Sequence, residues 1–114
     1  MIREWIDYFH DLIYGVNTAL EFVAGCDYEA FMSNREKQFA VIRALEIIGE
    51  AAKHIPKDIK KQHQNLPWRE MTAMRNMVIH EYYGVDLETI YITVTEDLPD
   101  LKTQLQIMRT ELKV

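Results

Sequence analysis

The sequence predicts a single all-α domain spanning residues 1–114. Apolar residues recur every three or four positions through most of the chain, which is the period of an amphipathic helix. Only four glycines and three prolines are present, which leaves little room for the turns of a sheet. With 48% hydrophobic residues over 114 positions, the chain is long enough to bury a core. We therefore expect an up-and-down bundle of four main helices plus a short helix.

The first main helix is expected over residues 2–24. Its apolar positions recur at helical spacing and are Trp5, Phe9, Leu12, Val16, Leu20 and Val23. Gly25 follows where a C-terminal cap is expected, because glycine readily adopts the positive φ that ends a helix. Asp27 is then predicted to cap a short helical turn that runs through Phe31.

A second main helix is predicted after Ser33, because Ser33-Asn34-Arg35-Glu36 has the Ser-x-x-Glu form of a capping box. Its apolar residues cover a wide face, which predicts packing on both sides; they are Phe39, Val41, Ile42, Leu45, Ile48, Ala52 and Ile55. Glycine in a helix interior costs about 1 kcal/mol relative to alanine, so Gly49 indicates a close approach by another helix. Pro56 ends this helix.

The short helix is expected from Lys57 to His63, and the third main helix from Pro67 to Gly84. Proline suits a first helical turn because its missing N–H would have no intrahelical partner there. A last helix is predicted behind Asp86, a good N-cap. Its apolar line runs to the end of the chain through Leu87, Ile90, Val94, Leu98, Leu101, Leu105, Met108 and Leu112. Pro99 has no N–H, so we expect a kink or brief break there without a change of face.

Charge and cysteine content limit the classes of function. The net charge of −5 argues mildly against a nucleic-acid binder, since phosphate contacts normally need a basic surface. Residues 35–61, however, carry seven basic and four acidic groups, so a local cationic groove is possible. The single Cys26 cannot form an internal disulfide, and neither a membrane-spanning run nor a signal peptide is evident. We expect a cytoplasmic protein without a membrane partner.

Four functional side chains lie within eight residues of the third main helix: Arg75, Asn76, His80 and Tyr82. At about 100° per residue, Arg75 and Tyr82 share one line on the helix surface, while Asn76 and His80 share another. One helix therefore cannot direct all four groups at a single point. A second surface has to supply the other half of a site.

The pattern Arg75-Asn76-x3-His80-x-Tyr82 resembles the Arg-x4-His-x-Tyr motif of the HEPN superfamily. Within it, the chain is most similar to the HepT-like ribonuclease toxins that are encoded beside a minimal nucleotidyltransferase antitoxin. Residues 40–53, 83–88 and 94–101 are similar to the other recurrent blocks of that family. The Arg-x4-His pattern alone occurs by chance in many helices, but embedded in these blocks it is specific.

The resemblance implies a homodimer in which two motif helices face each other. It implies metal-independent cleavage of RNA, in which the ribose 2′-hydroxyl attacks the adjacent phosphate and leaves a 2′,3′-cyclic phosphate. The chain would be the toxin of a type II toxin–antitoxin system, with Arg75 and His80 as catalytic residues. The motif tyrosine, Tyr82, would accept AMP from the antitoxin and become O-AMP-tyrosine. No cofactor and no metal are expected.

Each of these residues also has an ordinary structural interpretation. His80 suits a general acid or base because an imidazole titrates near neutral pH, but a buried histidine is the alternative. The Arg75 guanidinium suits a phosphate, but it could form a surface ion pair with a carboxylate. Asn76 could position the phosphate or be a surface residue, and Tyr82 could be a core tyrosine with its hydroxyl at the rim.

Other polar residues indicate less specific roles. Glu46 and Glu50 favour a solvated helix face, with support of the motif helix as the alternative. His80-Glu81-Tyr82-Tyr83-Gly84 lacks the second histidine of a zinc protease motif. No glycine-rich phosphate loop is present, so a nucleotide would come with a partner. A second function class stays open: a non-catalytic binding or substrate subunit of a nucleotidyltransferase complex.

Overall fold

The computed structural model of the chain describes residues 2–79 and 86–114. Within these ranges the chain forms helices and no strand, which confirms the all-α prediction. The helices are α1 (Trp5–Val23), α2 (Tyr28–Met32), α3 (Arg35–Lys53), α4 (Lys57–Gln62), α5 (Trp68–Ile79), α6 (Leu87–Ile92) and α7 (Leu98–Leu112). A π-helical turn, Thr93–Asp97, joins α6 to α7. α1, α3 and α5 correspond to the first three predicted main helices, and α6, the π-helical turn and α7 together occupy the range of the last one. The predicted end of the third main helix at Gly84 lies outside the described residues.

Most of the predicted helix ends are confirmed. α1 begins later than expected, behind Glu4, whose backbone N–H donates to the Asp7 carboxylate at 3.0 Å. Gly25 has a φ of 70° just past the end of α1. The Asp27 carboxylate accepts from the N–H of Ala30 at 2.8 Å and caps α2 as predicted.

The predicted capping box at Ser33 is wrong. The Ser33 hydroxyl donates to the carbonyls of Glu29 and Ala30 and so belongs to the end of α2. The N-cap of α3 is Asn34, whose side-chain oxygen accepts from the N–H of Lys37 at 3.0 Å. A hydroxyl that is already satisfied by the preceding helix cannot cap the next one, so the cap moves by one residue.

α3 is the central helix, because α1 packs along one side of it and α5 along another. This confirms the expected two-sided packing. α7 packs against α1 and adds buried side chains to the core. The largest fully buried side chains come from every long helix, and they include Phe9, Leu12, Leu45, Ile48, Met71, Leu105 and Met108.

The expected break near Pro99 occurs one turn earlier, in the π-helical turn. There the N–H of Leu98 donates to the carbonyl of Thr93, five residues back. Pro99 consequently lies in the first turn of α7, where its missing N–H costs no helical hydrogen bond. Ile90, Val94 and Leu98 are all buried, so the apolar face continues through the turn as predicted.

Candidate active site

Arg75 lies on α5 and faces α3. Its Nη1 atom is 3.2 Å from the Oε2 atom of Glu50, and the two side chains are 40% and 47% exposed. This is the ion pair that the ordinary interpretation of Arg75 predicts. It lies at the accessible surface, where an ion pair contributes little to folding.

The close approach expected at Gly49 is confirmed, and the helix that approaches is α5. A Cβ atom added at Gly49 would lie 2.5 Å from both the Cβ and the backbone nitrogen of Arg75. No side chain fits at such a distance, so α3 and α5 can meet here only because position 49 is glycine. The backbone of Arg75 is thereby fixed against Gly49 of α3, and the next residue of α3 is Glu50.

Glu50 does not belong to a plain solvated face; the alternative, support of the motif helix, fits the structure better. Its second oxygen, Oε1, is 3.3 Å from Nε2 of His54, one turn further along α3. The His54 ring stacks on Tyr8 of α1, with the ring centroids 4.2 Å apart and the planes 16° from parallel. Glu50 therefore links Arg75 to groups on both α3 and α1.

Arg3, which precedes α1 in the chain, contacts the same tyrosine, Tyr8. Its guanidinium carbon lies 4.6 Å from the centre of the Tyr8 ring, a cation–π distance. Its Nη1 atom also pairs with Asp11 at 2.8 Å. The hydrogen bond from Arg3 to Asp11 raises the pKa of the Arg3 guanidinium above its ordinary value.

A cleft of about 180 Å³ opens between α1 and α3 beside these contacts. Its lining combines two cationic, two acidic, one aromatic and two apolar side chains: Arg3, Arg43, Asp11, Glu50, Tyr8, Ile47 and Ala51. A second, larger cleft lies between α5 and the start of α7 and is lined by Glu70, Glu96, Asp97 and Asp100 among others. Carboxylates repel a phosphate backbone, so the surface around Arg75 suits RNA better than this second cleft does.

The four predicted site residues fall on both sides of the boundary of the described region. Arg75 and Asn76 are on α5, and Asn76 is exposed next to Arg75. His80 and Tyr82 lie outside the described residues, so their convergence with Arg75 stays a prediction. Sequence reasoning did not identify Tyr8 or Arg3 as neighbours of the site. No local signal could have found them, because Tyr8 and His54 meet only through the packing of α1 on α3.

Two features are absent from residues 2–79 and 86–114. None of the helices there is both long and apolar enough to cross a bilayer. No group of three or more His, Cys, Asp or Glu side chains in the same ranges is arranged to hold a metal ion.

Comparison with known proteins places this all-α bundle in a family. A family model described as "Ribonuclease HepT-like" matches residues 15–108. The chain is 46% identical over 109 residues to "Probable ribonuclease HepT" of Thermococcus cleftensis, a match that covers 96% of this chain and 99% of the relative. It is 40% identical over 101 residues to "Putative RNase MJ1380" of Methanocaldococcus jannaschii, covering 89% and 93% respectively. None of the solved structures is significantly similar. The chain belongs to the HepT-like ribonuclease family.

Proposed function

We propose that this chain is a metal-independent endoribonuclease and the toxin of a type II toxin–antitoxin system. Arg75 binds the scissile phosphate, and His80 acts as general acid or base. The observation that carries the proposal is the placement of Arg75, whose side chain on α5 is 40% exposed and pairs with the carboxylate of Glu50. The family match supports it, because residues 15–108 include all four motif residues.

The proposed reaction is an intramolecular transesterification. The ribose 2′-oxygen bonds to the adjacent phosphorus while the bond from phosphorus to the 5′-oxygen breaks, giving a 2′,3′-cyclic phosphate and a 5′-hydroxyl. One group must accept the 2′-hydroxyl proton, and another must donate a proton to the departing oxygen. Arg75 stabilises the charge that develops on the phosphate, and Asn76 and Tyr82 position it. The single Cys26 fits a reducing cytoplasm as the site of action.

Substitution of the two central residues tests this proposal. We expect His80→Ala to lower the rate by about 10² to 10⁴ and Arg75→Ala to lower it by roughly 10² to 10³. Both variants should keep their helical content, because neither position is on the main apolar stripe of the motif helix. The matched controls are His10→Ala, which removes an exposed histidine of α1, and Arg69→Ala, which removes an exposed arginine of α5, the helix that carries Arg75. Both control variants should stay active.

The assay follows cleavage of one structured and one unstructured RNA in excess EDTA and tests the product ends for a cyclic phosphate. Cleavage that disappears with EDTA, or that persists in both variants, would remove the mechanism. If the unmodified protein cleaves neither RNA, the binding-subunit function becomes the better one.

The proposal includes a homodimer that brings two copies of the motif helix together. A single His80 cannot accept one proton and donate another in the same step, whereas a dimer supplies two imidazoles and two guanidiniums. A two-fold axis through the motif helices places the same surface of both chains at the site. Sedimentation velocity at micromolar concentration should show a dimer, and a monomer alone would contradict this part of the proposal.

We further propose that a cognate minimal nucleotidyltransferase transfers AMP to Tyr82. The phenolic oxygen attacks the α-phosphorus of ATP and pyrophosphate leaves, which puts negative charge and bulk where the RNA phosphate binds. Tyr91 is a poorer acceptor, because it is half-buried and its hydroxyl donates to the carbonyl of Cys26 at 2.9 Å.

Mass spectrometry after incubation with the nucleotidyltransferase and ATP should find one AMP adduct. Tyr82→Phe should abolish the adduct, and Tyr83→Phe, the adjacent control, should retain it. An adduct found only on Tyr91 or on another residue would contradict the assignment.

A further inference from the structure

One carboxylate in the described part of the chain holds the guanidinium of Arg75. Oε2 of Glu50 forms an ion pair with Nη1 of Arg75 at 3.2 Å, and Oε1 of the same carboxylate contacts Nε2 of His54 at 3.3 Å. The two oxygens are thus divided between α5 and α3. From this arrangement we infer that Glu50 is a positioning residue, which orients Arg75 for the RNA phosphate. The inference rests on the proposed function.

The backbone of Arg75 is fixed by its contact with α3, but this contact does not orient the guanidinium at the end of the side chain. At Gly49 the main chains of α3 and α5 touch, so the Cα and Cβ atoms of Arg75 are held against α3. Beyond Cβ, the arginine side chain has several freely rotating bonds and is 40% exposed. Glu50 restricts these rotations, because it fixes one terminal nitrogen to the helix on which Gly49 lies.

The ion pair with Glu50 orients the Arg75 guanidinium and leaves N–H donors available for a phosphate. Glu50 meets the guanidinium at Nη1. A guanidinium carries five N–H donors in a planar fork, so the donors on its other edges can bind phosphate oxygens while Glu50 stays in place. An arginine held by a carboxylate at one edge needs no reorganisation when the phosphate arrives, and such preorganisation favours the transition state.

The Glu50 carboxylate is also supported on the side away from Arg75. His54 contacts its second oxygen, and Tyr8 stacks on the face of the His54 ring, so the carboxylate is supported by both α3 and α1. Glu46, one turn earlier on α3, has the same chemistry but a different contact. It pairs with Arg43 at 3.4 Å, and the Arg43 side chain is 69% exposed. Glu46 therefore serves as a matched control that removes a carboxylate from the same helix without touching Arg75.

The first readout is RNA cleavage by Glu50→Ala, Glu50→Gln and Glu46→Ala. A misplacement of about 1 Å at a reacting centre can cost about 10² in rate, so we expect Glu50→Ala to lower kcat by about 10-fold to 10²-fold. KM should change less than about 2-fold, since the charge of Arg75 is retained. Glu50→Gln should recover part of the rate, because its side chain has the same length and its amide oxygen can still meet Nη1, although the ionic attraction is lost. Glu46→Ala should match the parent protein, and all variants should unfold at similar urea concentrations.

The second readout follows Arg75 itself and does not depend on cleavage. In the RNA-free protein, the ¹H–¹⁵N signal of the Arg75 Nε–H, assigned by its loss in Arg75→Lys, should be sharp. It should broaden in Glu50→Ala and stay sharp in Glu46→Ala. An unchanged signal in Glu50→Ala overturns the inference, and so does a rate equal to that of Glu46→Ala. A rise in kcat/KM also overturns it, because Glu50 would then compete with phosphate.

Failure of the proposed function gives a different result. If the parent protein cleaves no RNA, the ribonuclease proposal fails, and an RNA made uncleavable by 2′-O-methyl groups replaces the substrate. With this RNA bound, an Arg75 Nε–H signal that is sharp in Glu46→Ala and broadened in Glu50→Ala supports the positioning role. An Arg75 signal that is equally sharp in the two variants overturns it.

Discussion

The two contacts that flank α3 both need a glycine, but the two glycines meet different atoms. A Cβ atom at Gly15, in the contact of α1 with α3, would lie 2.8 Å from Cγ1 of Ile48 and 3.1 Å from the carbonyl oxygen of Ala44. A Cβ atom at Gly49, in the contact of α3 with α5, would lie 2.5 Å from the backbone nitrogen of Arg75. The first contact is chiefly a matter of core packing, whereas the second also places a functional side chain.

The difference shows how this small bundle combines stability and function. In the first contact the nearest atom is Cγ1 of Ile48, a buried core side chain. In the second, the nearest atoms are Cβ and the main-chain N and Cα of Arg75, the residue that we propose binds phosphate. Any change that separates α3 from α5 therefore moves Arg75 relative to Glu50, and packing and activity cannot vary independently there.

The largest effect is expected for Gly49→Ala. Overpacking against a main chain costs about 3 kcal/mol, the upper end of the usual range, and this exceeds the gain of about 1 kcal/mol that alanine brings to a helix interior. Displacement of Arg75 should also lower the rate of RNA cleavage by about 10². Urea unfolding and cleavage by the folded protein measure the two effects separately.

The control for that variant is Gly15→Ala. The added Cβ would meet Cγ1 of the fully buried Ile48 and the backbone oxygen of Ala44. We therefore expect overpacking to outweigh the gain in helix propensity and to lower the free energy of unfolding by about 1 kcal/mol, less than Gly49→Ala does. RNA cleavage should be unchanged. If the two alanine variants lost activity equally, the contrast between the two contacts would be wrong.

A smaller effect is expected for Asn34→Ala, which removes the N-cap of the helix that both contacts share. Loss of the hydrogen bond from the Lys37 N–H should lower the free energy of unfolding by about 1 kcal/mol. Neither contact is altered, so cleavage by the folded protein should stay at the parent level. Ser33→Ala is the matched control and should cost less, because Ser33 does not cap α3. The reverse order of the two variants in urea unfolding would reinstate Ser33 as the cap.

The smallest effect concerns Asp86, the N-cap of α6, which lies outside both contacts. The hydroxyl of Thr89, and then its backbone N–H, donate to the Asp86 carboxylate and lower its pKa below the ordinary value of 3.8. Because the folded-state pKa is the lower one, the stabilisation is complete above the ordinary value. It is lost as the pH falls through the folded-state pKa.

Asp86→Asn removes this titration and should abolish its share of the pH dependence. Urea unfolding between pH 7 and pH 2 would measure the difference between the parent protein and Asp86→Asn. That difference should be constant near neutral pH and should change only in the acidic range. A difference that varies around pH 7 would point to another titrating group.

Much of the fold could be predicted because helices are determined by local pattern. The spacing of apolar residues located the four main helices, Pro56 separated α3 from α4, and Asp27 and Asp86 were identified as caps. The sequence favours Ser33 as the cap of α3, but Ser33 and the adjacent Asn34 are both residue types that can cap a helix. Only the backbone of α2 decides that the Ser33 hydroxyl is already bonded and that Asn34 takes its place.

By itself the sequence determined the positions of the helices, the spacing of the motif from Arg75 to Tyr82, and the need for a close approach at Gly49. These are properties of neighbouring residues and of helical periodicity. Only the tertiary structure decided that α5 is the helix that approaches Gly49, and that Glu50 rather than Glu46 pairs with Arg75. Both glutamates have the same side chain and lie on the same helix. Which of them meets the arginine depends on where α5 crosses α3, and that crossing is set by the packing of the whole core.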